Sequence, residues 1–243
     1  MSDSLIIIPT YNERENIERM VRKVFSLPKA FHLLIVDDGS PDGTADIVKS
    51  LQQEFPNQLH LLQRVGKLGL GTAYIAGFKW ALERSYGYIF EMDCDFSHNP
   101  DDLIRLYEGC TTQGGDMSVG SRYTKGGGVK NWPFKRLAMS FGASIYVNTL
   151  LWLGVKDSTA GFVCYTRKVL ETIDLDDIQF VGYAFQIEMK YNAHRLGFKI
   201  VEVPITFIDR EFGTSKMSAG IFKEGIIGVF KMRFRKISRR NMK

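Results

Sequence analysis

Cysteine is scarce in this chain of 243 residues. The composition therefore excludes a disulfide scaffold. Cys94, Cys110 and Cys164 are odd in number and form no CxxC pair, so they favour a reducing compartment and give no support to a structural zinc site. The chain also lacks internal repeats, low-complexity stretches and a basic segment before its first apolar run at residues 5–8. We therefore expect that run to be a first strand rather than a signal peptide. A content of 44% hydrophobic and 24% charged residues excludes a disordered chain and is typical of a globular protein.

Long hydrophobic runs are almost absent, and positive charge is concentrated at one end. Residues 137–155 carry no charge, but serine, glycine and asparagine interrupt them, so we expect a buried or interfacial helix pair rather than a membrane span. The formal net charge is +5, and residues 223–243 contain eight basic residues and one acidic residue. A basic C-terminal helix of this kind either meets an anionic surface, membrane or nucleic acid, or is simply solvated.

Apolar runs and helical patterns alternate along the first half of the chain. Short, wholly apolar segments predict buried strands, and their alternation with helices predicts a mostly parallel mixed sheet with helices on both faces. No linker divides the chain, so we expect one α/β domain. The predicted strands are residues 5–9, 33–36, 59–63, 88–92, 117–120, 161–165 and 200–208, and the predicted helices are 13–25, 44–55, 72–84 and 219–237, with a flexible loop at 125–128.

Polar residues follow three of the predicted strands, at residues 9–13, 37–40 and 93–95. Ligands of open α/β sheets bind at the carboxyl ends of the strands, so these segments are candidate binding residues. Asp93 and Asp95 are two residues apart, which places both carboxylates on one face of an extended segment and favours Mg²⁺ or Mn²⁺ over a solvated turn. Asp38 is a candidate acceptor for a base or ribose hydroxyl, Tyr11 a candidate stacking face and Glu13 a further acceptor.

Motifs of other nucleotide-binding and hydrolytic enzymes are absent. The chain has no GxxxxGK[ST], HExxH or GxSxG pattern. Gly69 and Gly71 begin a dinucleotide fingerprint, but residue 74 is tyrosine where the third glycine is required. P-loop hydrolysis, hydride transfer and triad hydrolysis therefore lose their main support.

Nine segments together point to one family. The chain resembles the dolichol-phosphate mannose synthases, inverting glycosyltransferases of family 2 with a GT-A nucleotide-diphospho-sugar transferase fold, from about residue 5 to residue 217. The resemblance implies a GT-A catalytic domain over residues 1–217 and a basic amphipathic C-terminal helix and tail, residues 218–243, within the same domain. The segments are IPTYNERENI (8–17), VDDGSPDGT (36–44), KLGLGTAYIAGF (67–78), MDCDFSHNP (92–100), GSRY (120–123), DSTAGF (157–162), FQIEM (185–189), EVPITF (202–207) and DREFGTSKM (209–217).

The resemblance implies transfer of mannose from GDP-mannose to dolichyl or another polyprenyl phosphate, with Mg²⁺ or Mn²⁺ as cofactor. It places the metal at Asp93 and Asp95, with Ser97 as a further candidate ligand, and the acceptor phosphate at Arg122 and Arg136. The implied donor-binding residues are Pro9, Tyr11, Glu13, Val36, Asp38, Asp93, Cys94, Asp95, Arg122, Arg210 and Lys216, and the implied catalytic residues are Asp95, Arg122, Arg210 and Lys216.

These residue types suit glycosyl transfer. The leaving nucleoside diphosphate gains negative charge, which a divalent cation, Arg210 and Lys216 would stabilise. The acceptor phosphate is already ionised near neutral pH, so it needs little help from a general base, and a single in-line attack would invert the anomeric centre. Cys94 stands where the family usually has alanine. Because a phosphate acceptor needs little help from a general base, we expect Glu188 to have a structural or orienting role.

A lipid acceptor implies a membrane. Residues 221–237 form a broad apolar face with basic residues around it, as in helices that lie in the headgroup plane. The chain resembles the short class of the family, for which small membrane-anchoring subunits are candidate partners, and we expect a cytoplasmic enzyme that is peripheral on the cytoplasmic face of a membrane. The enzymatic alternative is a transferase that uses UDP-glucose or another UDP-sugar. The non-enzymatic alternative, a nucleic-acid-binding module, is disfavoured because the basic tail lacks an aromatic platform.

Overall fold

The computed structural model describes residues 2–210, 219–237 and 239–240 and shows an α/β fold. Lys216 lies outside the described residues, as does the predicted boundary between residues 217 and 218. The strands are β1 Ser4–Thr10, β2 His32–Asp37, β3 Leu59–Gln63, β4 Tyr88–Glu91, β5 Met117–Ser121, β6 Gly128–Lys130, β7 Val163–Thr166, β8 Ile200–Pro204 and β9 Thr206–Ile208. The helices are α1 Ile17–Phe25, α2 Thr44–Glu54, α3 Leu70–Leu82, α4 Asp102–Thr111, α5 Phe134–Leu151, α6 Arg167–Thr172, α7 Tyr183–Arg195 and α8 Ala219–Phe234.

Seven of the described strands form one sheet, in the order β3-β2-β1-β4-β7-β5-β8. The first four run parallel, as do β5 and β8, whereas β7 is antiparallel to both of its neighbours. The central strand β1 is buried on both faces, with Ile6 and Ile8 in one hydrophobic cluster and Leu5 and Ile7 in another. Wholly apolar strands are typical of sheets covered on both faces. The predicted α/β class with a mostly parallel mixed sheet is confirmed.

The register of the sheet brings the polar strand ends to one edge. Thr10 at the end of β1 pairs with Asp37 at the end of β2, which pairs in turn with Gln63 at the end of β3. On the other side of β1, Ile7 pairs with Glu91. The residues two positions further along each strand are Pro9 and Asp93, so the three predicted binding segments share one edge.

Three boundary predictions are wrong. Residues 200–208 form two strands rather than one, because Pro204 ends β8 without an N–H to continue the ladder, and β9 pairs with β6, which begins within the predicted loop. Residues 137–155 do not form a helix pair: a single helix, α5, ends at Leu151, and Trp152 takes a left-handed conformation with φ 52°. Helix α1 begins at Ile17 rather than at residue 13, after a turn.

Helices α5, α7 and α8 build a third hydrophobic cluster beside the sheet. A Cβ atom on Gly228 of α8 would lie 2.6 Å from the ring of Phe180, so α8 packs very closely against the segment before α7. No described helix is long and apolar enough to cross a bilayer. The buried residues of this cluster include Val147, Leu151, Ile187, Tyr191, Val229 and Met232.

Candidate active site

The turn after β2 is held by the side chain of Asp37. This carboxylate is buried and accepts hydrogen bonds from the Thr10 hydroxyl at 2.9 Å and from the Ser40 N–H at 3.0 Å. The Asp38 N–H donates to the Thr10 carbonyl at 3.0 Å. Asp37 therefore maintains the turn, whereas Asp38 makes different contacts.

Asp38 forms a two-point ion pair with Arg64, a residue that the sequence did not single out. Arg64 donates from Nε and Nη2 to the two carboxylate oxygens at 2.7 and 2.9 Å, and from Nη1 to the Thr72 hydroxyl at 3.0 Å. The side chains of Arg64 and Asp38 are 11% and 8% exposed. The sheet register carries the signal for this pair, because Arg64 directly follows Gln63, the partner of Asp37.

The other predicted donor-binding residues surround the same edge. Pro9 of β1 pairs with Val36 of β2. Tyr11 follows the end of β1, and the Glu13 charge reaches Asp93, whose pKa it helps to raise. The structure thus gathers these positions around the carboxyl ends of β1, β2 and β4.

Asp93 and Asp95 follow β4 and repel each other. Asp95 accepts the Ser97 N–H at 3.1 Å, and its other oxygen lies 3.3 Å from the Arg210 guanidinium. Two effects raise the pKa of Asp93 to about 7: first desolvation of its carboxylate, and then the negative charge of Asp95. The Asp93 side chain is nevertheless 41% exposed. Cys94 lies between them with its side chain buried in a hydrophobic cluster.

Two mutually repelling carboxylates form a suitable donor set for a divalent cation. Mg²⁺ and Mn²⁺ prefer oxygen ligands, and Mg²⁺ is often held by one or two carboxylates together with substrate phosphates. The Ser97 hydroxyl is a buried oxygen near Asp95 and has no hydrogen-bond partner among the residues that the structure describes. Among the described residues, no group of three His, Cys, Asp or Glu side chains could hold a metal. The residues present therefore fit a cation whose coordination substrate phosphates complete.

The buried ring of His98 contacts the backbone of Asp93, and the sequence did not identify this role. Its Nδ1 accepts the Asp93 N–H at 3.4 Å, and its ring stacks on Phe162 with centroids 4.8 Å apart. Burial lowers the pKa of His98 to about 4, so the ring is neutral at physiological pH. Because Nδ1 accepts a hydrogen bond, the proton of the neutral ring resides on Nε2.

Arg122 and Arg136, the predicted acceptor-phosphate residues, meet at the indole ring of Trp132. Their guanidinium carbons lie 5.3 and 4.1 Å from the centroid of that ring. Arg122 is held by the buried Asp157, with bonds of 2.7 Å from Nε and 2.6 Å from Nη2. Arg136 donates to Asp209 at 2.8 Å, next to Arg210. Three basic side chains therefore converge near the two aspartates.

A cavity of about 770 Å³ connects this charged region with an apolar one. Asp93, Arg122, Arg136 and Arg210 line its charged part. Its remaining wall is mostly apolar, and helices α5, α7 and α8 contribute a large part of it. The lining from these helices includes Ala138, Met139, Gly142, Ala143, Tyr146, Val147, Ala184, Ile187 and Val229.

Glu188 has the contacts of a structural residue. Its carboxylate accepts the N–H groups of Gln179 and Phe180 at 3.0 Å each and pairs with Arg235 at 2.6 Å. Burial raises the pKa of Glu188. It does not line the cavity and instead joins α7 to the residue that follows α8.

Two comparisons of sequence place the chain in a family. The family "Glycosyl transferase family 2" matches residues 5–174. The polyprenol monophosphomannose synthase of Mycolicibacterium smegmatis is 47% identical over 226 residues, which cover 93% of this chain and 85% of the relative. The undecaprenyl-phosphate mannosyltransferase of Micrococcus luteus is 46% identical over 225 residues, which cover 93% and 91%.

Solved structures support the fold at much lower sequence identity. Glucosyl-3-phosphoglycerate synthase from Mycobacterium tuberculosis, in complex with Mn²⁺, UDP and glucosyl-3-phosphoglycerate, gives a TM-score of 0.68 at 16% identity, covering 95% of this chain and 79% of that one. The mannosyltransferase PcManGT from Pyrobaculum calidifontis, in complex with GDP-Man and Mn²⁺, gives 0.60 at 14%, covering 96% and 63%. With the matched family and the strand ends described above, the chain is a member of glycosyltransferase family 2 with the GT-A fold.

Proposed function

We propose that the chain transfers mannose from GDP-mannose to dolichyl or another polyprenyl phosphate, with inversion, to give polyprenyl β-D-mannosyl phosphate. The names of the two curated relatives describe mannosyl transfer to polyprenyl acceptors, and the alignments cover 93% of this chain. The observation that carries the proposal is the composition of the cavity, in which charged residues and an apolar wall share one space. A phosphate attached to a long hydrocarbon chain matches both parts.

The nucleotide of the donor would bind at the sheet edge beside Tyr11 and Asp38. Each oxygen of the Asp38 carboxylate accepts one bond from Arg64 and keeps a lone pair that can accept an N–H of the base. Arg64 fixes the orientation of the Asp38 carboxylate from one side. A carboxylate held in this way would position the base of the donor for transfer.

The reaction needs charge stabilisation more than proton transfer. A divalent cation at Asp93 and Asp95 would supply electrostatic stabilisation of the leaving diphosphate. Arg210, 3.3 Å from Asp95, would add a positive charge at the same place, and Lys216 is assigned the same role from the sequence. Arg122 would orient the acceptor phosphate, since Asp157 holds its guanidinium in place.

Arg136 would complete the acceptor site from the first turn of α5. Its guanidinium lies over Trp132 and is partly exposed, so its N–H groups can donate to a phosphate oxygen. The acceptor oxygen is already ionised near neutral pH and attacks the anomeric carbon without a general base. Direct attack opposite the leaving diphosphate gives inversion.

The lipid acceptor places the enzyme at a membrane surface. Phe141 of α5, Trp152 directly after α5, and Phe230 and Phe234 of α8 are exposed. The Arg233 guanidinium lies 4.8 Å from the Trp152 ring centroid. Exposed aromatic side chains beside basic ones suit the headgroup region of anionic lipids. Peripheral association with the cytoplasmic face, with small membrane-anchoring subunits as candidate partners, belongs to the same proposal, and nucleic acid is not an expected partner.

A panel of labelled nucleotide sugars tests the proposal. Purified protein is incubated with a polyprenyl phosphate in detergent, with Mg²⁺ or Mn²⁺ and with a chelator, and the lipid-linked sugar is quantified. We expect transfer from GDP-mannose that the chelator abolishes. We expect Asp95→Ala to lose transfer and metal-dependent GDP binding, whereas Asp46→Ala, a matched change of a highly exposed carboxylate on α2, keeps both.

Three other outcomes would contradict the proposal or part of it. Turnover with UDP-glucose and none with GDP-mannose would identify the alternative glucosyl donor. Salt-dependent RNA binding without any sugar transfer would favour the nucleic-acid-binding alternative. Full activity of Asp95→Ala would remove the metal assignment.

A further inference from the structure

Gly142 lies in the interior of α5, where glycine weakens a helix relative to alanine. Its backbone does not require glycine, because it is helical and its φ is not positive. Packing against the described residues does not require glycine either, since a Cβ atom at this position would meet none of their atoms within 4 Å. At the helical residues Gly71, Gly109 and Gly228, by contrast, a Cβ atom would come within 2.8, 2.7 and 2.6 Å of a neighbouring side chain.

Gly142 is exposed and lines the cavity. The lining residues of the same three helices are mostly apolar and include Met139 and Ala143 on α5, Ile187 on α7 and Val229 on α8. Arg136 lies six residues earlier on the same helix, about 9 Å along the helix axis. A ligand whose phosphate contacts Arg136 would therefore run along an uncharged wall as it passes Gly142.

We infer that the wall at Gly142 binds the part of the acceptor hydrocarbon nearest to its phosphate, and that glycine stands there because a larger side chain would occupy the space of that hydrocarbon. This inference rests on the proposed function and adds a residue that determines acceptor binding. The mannosyl group of the donor does not suit this wall, because its hydroxyls would lose hydrogen bonds to water without gaining partners. A hydrocarbon loses none and leaves water for an apolar surface.

A series of substitutions at Gly142 separates this role from a structural one. Gly142→Ala and Gly142→Leu both increase helix propensity, so a position with a merely structural role would tolerate them or gain thermal stability. In a hydrophobic pocket, a mismatch of about one methylene changes kcat/KM roughly tenfold or more. Thr149→Leu is the matched control, since it adds the same side chain at an exposed position of the same helix.

Steady-state kinetics with a polyprenyl phosphate and GDP-mannose, each varied in turn, provide the test. We expect Gly142→Leu to raise the KM for the acceptor at least about tenfold, with a smaller rise for Gly142→Ala. The KM for GDP-mannose and the metal-dependent affinity for GDP should keep their wild-type values, and the Tm should equal or exceed that of the wild type. Thr149→Leu should leave the KM for the acceptor unchanged.

Each contrary result has a distinct meaning. An unchanged acceptor KM in Gly142→Leu, with an active wild type, would overturn this inference and leave the proposed function intact. An equal loss of donor and acceptor affinity, or a lowered Tm in both Gly142 variants, would also overturn it, because the position would then be structural. Absence of mannosyl transfer by the wild type would overturn the proposed function itself.

Discussion

The ion pair between Arg64 and Asp38 should contribute both to stability and to the donor site, and a double-mutant cycle can separate the two effects. The side chains are 11% and 8% exposed and meet through two bonds, of 2.7 and 2.9 Å. Removing one partner of a buried pair leaves an uncompensated charge, which costs roughly 3–5 kcal/mol. Because both side chains retain slight exposure, we expect the lower limit, about 3 kcal/mol, for Arg64→Met.

The double variant Arg64→Met with Asp38→Asn removes both charges. Its loss of stability should be smaller than the sum of the two single losses by about 2 kcal/mol, since neither charge is left alone. Denaturant unfolding followed by fluorescence measures the three free energies of unfolding. The recovery should not extend to function: Asp38→Asn and the double variant should both bind GDP poorly, as measured by calorimetry.

Additive losses, within about 0.5 kcal/mol, would show that the two residues are not coupled and would refute the reasoning. GDP affinity that returns together with stability in the double variant would refute the role of the Asp38 carboxylate at the nucleotide. Either result would leave the fold unaffected.

Two further predictions concern the acceptor side of the molecule. Asp157→Asn should destabilise the protein by about 3 kcal/mol and lower the rate of mannosyl transfer, because the buried Asp157 carboxylate is the two-point partner of Arg122. Thermal unfolding measures the stability and initial rates measure the transfer. Unchanged rates would contradict the role of Arg122. The double variant Phe230→Ser with Phe234→Ser should co-sediment less with anionic vesicles. Its free energy of unfolding should change by less than about 0.5 kcal/mol, since these rings are 55% and 75% exposed. A marked loss of stability would show that the rings pack against protein.

Much of the sheet could be predicted from the sequence, because strands such as β1 and β2 are mostly apolar and buried on both faces. Helix α7 could not be predicted from the sequence. It is buried on nearly all sides and includes the polar residues Gln186, Glu188 and Lys190, so it shows no amphipathic pattern. The division of residues 200–208 was also missed, because a strand that changes partner at Pro204 keeps the same apolar character.

The candidate active site could also be predicted only in part. Asp93 and Asp95 could be located because they directly follow a predicted strand. Arg64 and His98 could not, since their roles depend on contacts across strands: Arg64 meets Asp38 through the register of β2 and β3, and the His98 ring packs on Phe162, far along the chain. Residue type and spacing do not encode such partners.

A crystal structure of the chain with GDP and Mn²⁺ tests the central claim most directly. We predict one Mn²⁺ contacting the carboxylates of Asp93 and Asp95 and the diphosphate, with the guanine edge at Asp38. GDP bound away from the carboxyl ends of β1, β2 and β4, or Mn²⁺ held by other residues, would contradict the account.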